Sequence, residues 1–151
     1  MEWIEKLNEA ITYMEEHLTD EIDYEQLGKI ACCSSYHFQR MFAYMAGVPL
    51  SEYIRRRKMS LAAVDLQDKN AKIIDVAAKY GYQSPTAFNR AFQSVHGIAP
   101  SAVKTEGVSI KSFPPVSFKI YVKGAEEMNY RIETKDAFRI VGVSVPLQKN
   151  I

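Results

Sequence analysis

Tyr36, Gln39 and Arg40 fall at i, i+3 and i+4, and Thr86, Asn89, Arg90 and Gln93 take up the same spacing again 50 residues further on. Residues three and four apart share one face of a helix, so each set forms one patch. The chemistry of such a patch is hydrogen bonding to a flat, patterned surface. Arginine bridges guanine O6 and N7, glutamine pairs with adenine, and a tyrosine ring packs on a sugar or a thymine methyl.

The short polar side chains around these patches suit a different contact. Ser34, Ser84, Thr86 and Asn89 sit near the N-termini of the expected helices, where hydroxyl, amide and backbone N–H groups meet phosphate oxygens. Ser35 and Ala87 lie on the same outer faces. Arg55 opens the run Arg55-Arg56-Arg57-Lys58, which could grip a nucleic-acid backbone. It could equally solvate its helix or pair with acidic neighbours. Any helix has a polar outer face, so one patch alone says little; two with the same arrangement say more. Either arginine of the pair could hold a phosphate instead of a base.

The patches need helices to carry them, and the sequence supplies these as a repeat. Phe38-x-Arg40-x-Phe42-x4-Gly47 matches Phe88-x-Arg90-x-Phe92-x4-Gly97 at a constant offset of 50. Phe38, Met41, Phe42 and Met45 make a buried stripe over about 35–46, and glycine ends the helix in a left-handed cap. The second helix covers about 85–95, with Ser84 as N-cap and Pro85 at its first position. A short apolar helix precedes each, about 23–31 with Asp20 and Asp23 as capping residues, and about 73–80 closing at Gly81. Helix, tight turn and amphipathic helix is the plan of a helix-turn-helix. An amphipathic helix over about 2–18 opens the chain, a long one over about 50–67 joins the two units, and a short helix begins at Pro100.

Composition excludes several classes. The chain has 151 residues, 47% hydrophobic and 25% charged, as ordinary globular proteins do. No apolar run approaches the length of a membrane span, and the acidic amphipathic N-terminus is unlike a secretory leader. No membrane partner is expected, and a cytoplasmic location is. Cys32 and Cys33 are adjacent, where a mutual disulfide would be strained, and one or both are read as small buried hydrophobes near the turn. His17, His37 and His96 lack metal-ligand spacing. There is no GxSxG, phosphate loop, HExxH or GxGxxG, so neither catalytic residue, metal nor cofactor is assigned. Net charge is +1 but unevenly placed: residues 1–32 carry two basic and nine acidic side chains, residues 33–106 ten basic and five acidic. The positive charge begins where the first patch begins, as phosphate binding would require.

Beyond about residue 107 the pattern changes. SFPPVSFKIYVKG, MNYRIET and AFRIVGVSV alternate as strands do, with Lys135-Asp136 as a hairpin turn. Three strands have little core of their own, and this tail is expected to add little to the helical part.

The segment SSYHFQRMFAYMAGVPLSEYIRRRKMSLAA, followed by IIDVAAKYGYQSPTAFNRAFQSVHGIAPSAV, resembles the DNA-binding domain of the arabinose-regulator (AraC/XylS) transcription factors. The resemblance covers about residues 4–106. It implies a mainly α fold in which seven helices form two helix-turn-helix subdomains joined by a long helix, with both recognition helices reaching successive major grooves. Three departures stand out. Proline falls one place early in Gly47-Val48-Pro49-Leu50 against Gly97-Ile98-Ala99-Pro100, Tyr36 replaces a frequent tryptophan, and Pro85 and Ala87 replace polar contact residues. The piece MNYRIETKDAFRIVGVSV resembles the start of a gyrase-inhibitor-like effector domain.

The expected organisation is therefore a DNA-binding domain over 1–106, then over 107–151 a linker and the incomplete β start of an effector-binding domain. The expected function is sequence-specific regulation of transcription. Double-stranded DNA is the main partner, RNA polymerase a further one, and a small-molecule effector a partner of the intact protein. Two alternatives stay open: a helical protein–protein adaptor, and a fragment of a mainly ligand-sequestering protein. A basic stripe across the patch-bearing helices would favour DNA, and an exposed apolar patch there the adaptor.

Overall fold

A short helix cannot bury its apolar stripe alone, and this chain pairs its stripes in two separate cores. A computed structural model describes residues 2–121. Six α-helices follow one another: α1 (Glu2–Glu16), α2 (Tyr24–Ile30), α3 (Ser35–Ala46), α4 (Leu50–Asp65), α5 (Ile73–Lys79) and α6 (Pro85–His96), with a 3-10 helix at Pro100–Lys104. The mainly α class and the double helix-turn-helix plan are as expected, and the short seventh helix is of the 3-10 type.

The first core joins Leu7, Ile11 and Met14 of α1, Leu27 of α2, Phe38 and Phe42 of α3, and Leu50, Tyr53 and Ile54 from the first half of α4. The second joins Met59, Ala62, Ala63 and Leu66 around the end of α4 to Val76 and Ala77 of α5 and Phe88, Phe92 and Val95 of α6. The paired phenylalanines do the same work in both. Phe38 and Phe42 have ring centroids 6.3 Å apart, Phe88 and Phe92 5.8 Å apart, and all four side chains are fully buried. Helix α4 is thus shared, one half to each core, with Leu61 packed against both.

The repeat is not uniform. The offset of 50 holds through the caps and recognition helices, but the turns differ by one residue. In the first unit Cys33 N–H donates to Gly28 O at 2.8 Å; in the second, Tyr82 N–H donates to Ala77 O at 2.9 Å, an offset of 49. The residue before each donor has positive φ, Cys32 at 63° and Gly81 at 86°. Gln83 is the additional residue before the Ser84 cap. The shorter first turn brings α3 so close that a Cβ on Gly28 would lie 2.7 Å from Cys33 O and 2.8 Å from Ser35 N. Ala77 carries a methyl at the corresponding place. The early proline also finds its reason: Pro49 is itself the N-cap of α4, whereas Pro100 is the first residue of the 3-10 helix, after Ala99.

The expectation for the chain beyond residue 106 needs correction. Over 112–121, the described part of SFPPVSFKIYVKG, no strand forms, and residues 108–121 run without regular secondary structure. This stretch is not idle: Phe118 is 1% exposed, in contact with Phe42 in the first core, their ring centroids 6.0 Å apart. Extended chain forms a strand only beside another strand, and here its backbone partners are helix side chains. The other two strand candidates lie outside the described residues.

The close approach at Gly28 yields a test. Gly28→Ala forces backbone against backbone and should lower the unfolding free energy by about 1–3 kcal/mol or more, read from urea denaturation. Cys32→Gly, which relieves a left-handed non-glycine residue, should leave stability unchanged or raise it by up to about 1 kcal/mol.

Candidate nucleic-acid interface

The two recognition helices are built to one specification. Each has 12 residues, a serine N-cap in extended conformation, a glycine C-cap in the left-handed region and no acidic side chain in its first turn. Ser34 Oγ accepts from His37 N–H at 3.0 Å and Ser84 Oγ from Ala87 N–H at 3.1 Å. Gly47, φ 81°, and Gly97, φ 76°, close the other ends. Buried phenylalanines turn the opposite faces outward, and neither first turn carries an acidic side chain of its own to offset the positive end of the helix dipole.

On α3, Tyr36 is 67% exposed and Arg40 is exposed beside it. Arg40 Nη1 donates to the Tyr36 hydroxyl at 3.2 Å, and the guanidinium carbon lies 5.7 Å from the ring centroid. This contact restrains a long side chain on the helix surface. Gln39 is half-buried next to them. Ser35 is turned away from this patch: its hydroxyl donates to Glu25 Oε2 of α2 at 2.9 Å. On α6, Thr86, Ala87, Asn89, Arg90 and Gln93 are all exposed. Gln93 Nε2 donates to Asn89 Oδ1 at 2.8 Å, which fixes two amides as one bifunctional unit. Arg90 has no ion-pair partner among the described residues.

Two exposed residues of α3 escaped the sequence reading. His37 borders the patch in the first turn, and Tyr44, 83% exposed, extends the Tyr36–Arg40 row by one more turn. The signal was present, since 36, 40 and 44 are successive i+4 steps.

The run Arg55–Lys58 divides by helix face. Arg55 and Arg56 both bind Glu52, Arg56 Nε at 3.1 Å, and the Arg56 guanidinium carbon lies 5.0 Å from the Phe113 ring centroid. Lys58 Nζ donates to Tyr80 O at 3.2 Å, at the C-terminal end of α5, where a cation complements the negative end of the helix dipole; desolvation holds its ammonium below the usual lysine range. Tyr80 is fastened in turn by its hydroxyl, which donates to Asp65 Oδ2 at 2.7 Å. Burial, then this bond, push the phenol up.

Arg57 is 8% exposed. Its Nε and Nη2 each donate to Glu15 of α1 at 2.8 Å, and Nη1 donates to Phe113 O at 2.7 Å. The bonds to Glu15 raise its pKa against the desolvation that lowers it. Tyr53, whose phenol burial pushes up, donates to the same carboxylate at 2.9 Å. Of the four cations, Arg57 is a structural strut, while Arg55 lies partly exposed on the surface.

Two similar supporting-helix, turn and recognition-helix units on one shared helix define a double helix-turn-helix domain. Comparison with known proteins specifies it further. The family described as "Helix-turn-helix domain" matches residues 27–106. The transcriptional activator AarP of Providencia stuartii is 36% identical over 95 residues, 63% of this chain and 70% of AarP. The crystal structure of the DNA-binding domain of the global transcriptional factor AdpA, solved in complex with a target DNA, aligns with TM-score 0.59 and 26% identity over 65% of this chain and 88% of that one. An AraC-type regulator from Chromobacterium violaceum shares the fold, with TM-score 0.62 and 20% identity over 68% of this chain and 91% of its own. The chain belongs to the AraC-type family of helix-turn-helix transcription regulators.

The buried strut gives a clear expectation. Arg57→Ala leaves the Glu15 carboxylate and the Phe113 carbonyl without their donor and should cost about 3–5 kcal/mol of stability. Arg55→Ala should cost less than about 1 kcal/mol. Chemical denaturation of both variants checks the contrast.

Proposed function

We propose that the protein regulates transcription by placing α3 and α6 in two successive major-groove segments of one face of double-stranded DNA. The observation that carries this reading is the duplication itself. Two 12-residue helices with matching caps present a tyrosine, glutamine and arginine in one case and a threonine, asparagine, arginine and glutamine in the other. One chain then does what two helix-turn-helix protomers do elsewhere, reading segments one DNA turn apart, roughly 34 Å. A fixed separation that differs from this bends the DNA, at about 1–6 kcal/mol.

In this reading Arg40 and Arg90 bridge guanine edges, with Gln39, Asn89 and Gln93 facing adjacent bases and Tyr36 packing against sugar or thymine methyl. Ser34, Ser84, Thr86 and the helix N-termini face phosphates. Arg55 lies beyond the recognition helices as a backbone contact, exchanging Glu52 for phosphate. Ala87 leaves room for close approach. Ser35, held by Glu25, shapes the turn and does not donate to DNA.

The division into a DNA-binding domain followed by the start of an effector-binding domain is part of this proposal, with 108–121 packed on the former. In the intact protein a small molecule bound downstream would alter DNA affinity or contact with RNA polymerase. The family relation points away from enzymatic activity. No helix among the described residues is long and apolar enough to cross a membrane, in keeping with a cytoplasmic site of action.

Selection of bound sequences from random duplex DNA tests the reading and should return a two-part site; failure to enrich any sequence would favour the adaptor alternative. On the selected site, log affinity should fall linearly with log salt concentration, by about 0.9 per neutralised phosphate. Arg40→Ala and Arg90→Ala should each cost about 1–3 kcal/mol and relax specificity over one half of the site only. Equal weakening on every sequence would make that arginine a phosphate contact.

A further inference from the structure

The two cores are joined chiefly by α4, an unbroken helix from Leu50 to Asp65 that gives residues to both. The structure adds a second connection. After the 3-10 helix, residues 108–121 return across both units. Ile110 and Phe113 pack against the second core, Val116 and Phe118 against the first. Between them stand Pro114 and Pro115, which fix φ and stiffen the crossing.

The backbone of this crossing is anchored by side chains from three helices. Lys111 N–H donates to His96 Nδ1 of α6 at 3.0 Å. Phe113 N–H donates to Ser60 Oγ at 2.8 Å, and Phe113 O accepts from Arg57 at 2.7 Å. Val116 N–H donates to the Tyr53 hydroxyl at 3.2 Å. At the far end Asn8 of α1 closes a two-way amide pair, accepting from Phe118 N–H at 2.8 Å and donating to Phe118 O at 3.0 Å, as a neighbouring strand would. His96 is 5% exposed, and its other nitrogen, Nε2, lies 2.9 Å from Met59 O. With Nδ1 accepting, Nε2 must carry the proton, so the network selects one neutral tautomer. Ser60 and His96 are both buried, and each spends its polar side-chain atoms on this crossing or on α4.

We infer that residues 108–121 are a strap that, together with α4, fixes the spacing and relative orientation of α3 and α6 and so holds the two recognition helices in one register. Being the segment that leads onward from the helical domain, it is also where mechanical or ligand-driven change in the following chain would reach the recognition helices. The strap function stands on packing alone; its consequence for DNA rests on the reading proposed above.

The test uses the full 151-residue chain with Cys32→Ser and Cys33→Ser. Spin labels are placed at Tyr44→Cys on α3 and Ser94→Cys on α6, both exposed, and pulsed electron paramagnetic resonance reads their distance distribution. A second pair, Glu21→Cys with Tyr44→Cys, reports on the first unit alone. Pro114→Gly with Pro115→Gly, and separately Asn8→Ala with Phe118→Ala, should broaden or shift the distribution between units and leave that within the first unit unchanged. An unaltered distribution between units in the proline variant would overturn the strap, because that variant removes stiffness and no core side chain. If Phe118→Ala broadens the within-unit distribution as well, the proline variant alone decides. On DNA, the same variants should lose discrimination between the selected site and one whose halves are moved apart by one base pair. Altered label distances with unaltered spacing discrimination would uphold the strap and count against paired groove reading.

Discussion

The arrangement depends on one buried charge. Arg57 lies in the middle of α4, where the half-helix serving the first core gives way to the half serving the second. A guanidinium there is tolerable only if its donors are met. Glu15 meets it as a fork from α1, and Phe113 offers a backbone carbonyl from the strap. Each partner is fixed again elsewhere, Glu15 by the Tyr53 hydroxyl and Phe113 by Ser60. A point contact therefore becomes a junction of first helix, central helix and returning chain. Apolar packing could fill the same volume but would not specify which backbone carbonyl arrives there, since dispersion and hydrophobic burial are non-directional.

Around that junction the two units solve one problem with different local means. Each must set a recognition helix across its supporting helix through a turn with one residue at positive φ. The first unit uses Cys32 there and relieves the crowding of a short turn by omitting a Cβ at Gly28. The second uses Gly81, lengthens the turn by Gln83 and keeps a methyl at Ala77. Beyond the turns the units converge on the same caps and paired phenylalanines. The outward faces then diverge: a tyrosine–arginine stack on α3, an amide pair and an exposed arginine on α6. Common scaffolding thus carries two chemically different surfaces.

Charge is handled with similar economy. The basic run at the start of α4 looks uniform in sequence, yet one member is buried, two share Glu52 and one seals the end of α5. Residues of like charge took different roles because a helix turns about 100° per residue and so presents consecutive side chains to different surroundings.

The sequence by itself determined the helices, the repeat and several of the caps. Phe38, Phe42, Phe88 and Phe92 at helical spacing, with Ser34, Ser84, Gly47 and Gly97 at the ends, depend only on contacts within a few turns of chain, and such local signals survive in one dimension. The exposed faces carrying Tyr36, Gln39, Arg40, Asn89 and Arg90 followed from the same periodicity. What lay beyond reach depends on contacts distant along the chain. The alternation of residues 112–121 has the form of a strand, but strand formation needs an adjacent edge, and tertiary structure placed helix side chains there instead. Asn8 meeting Phe118 spans 110 positions, Glu15 meeting Arg57 spans 42, and no local pattern announces either. Only the folded chain could decide that the segment expected to trail the helical domain is the one that crosses its two cores, because burial of Phe118 and satisfaction of Arg57 are properties of the assembled interior.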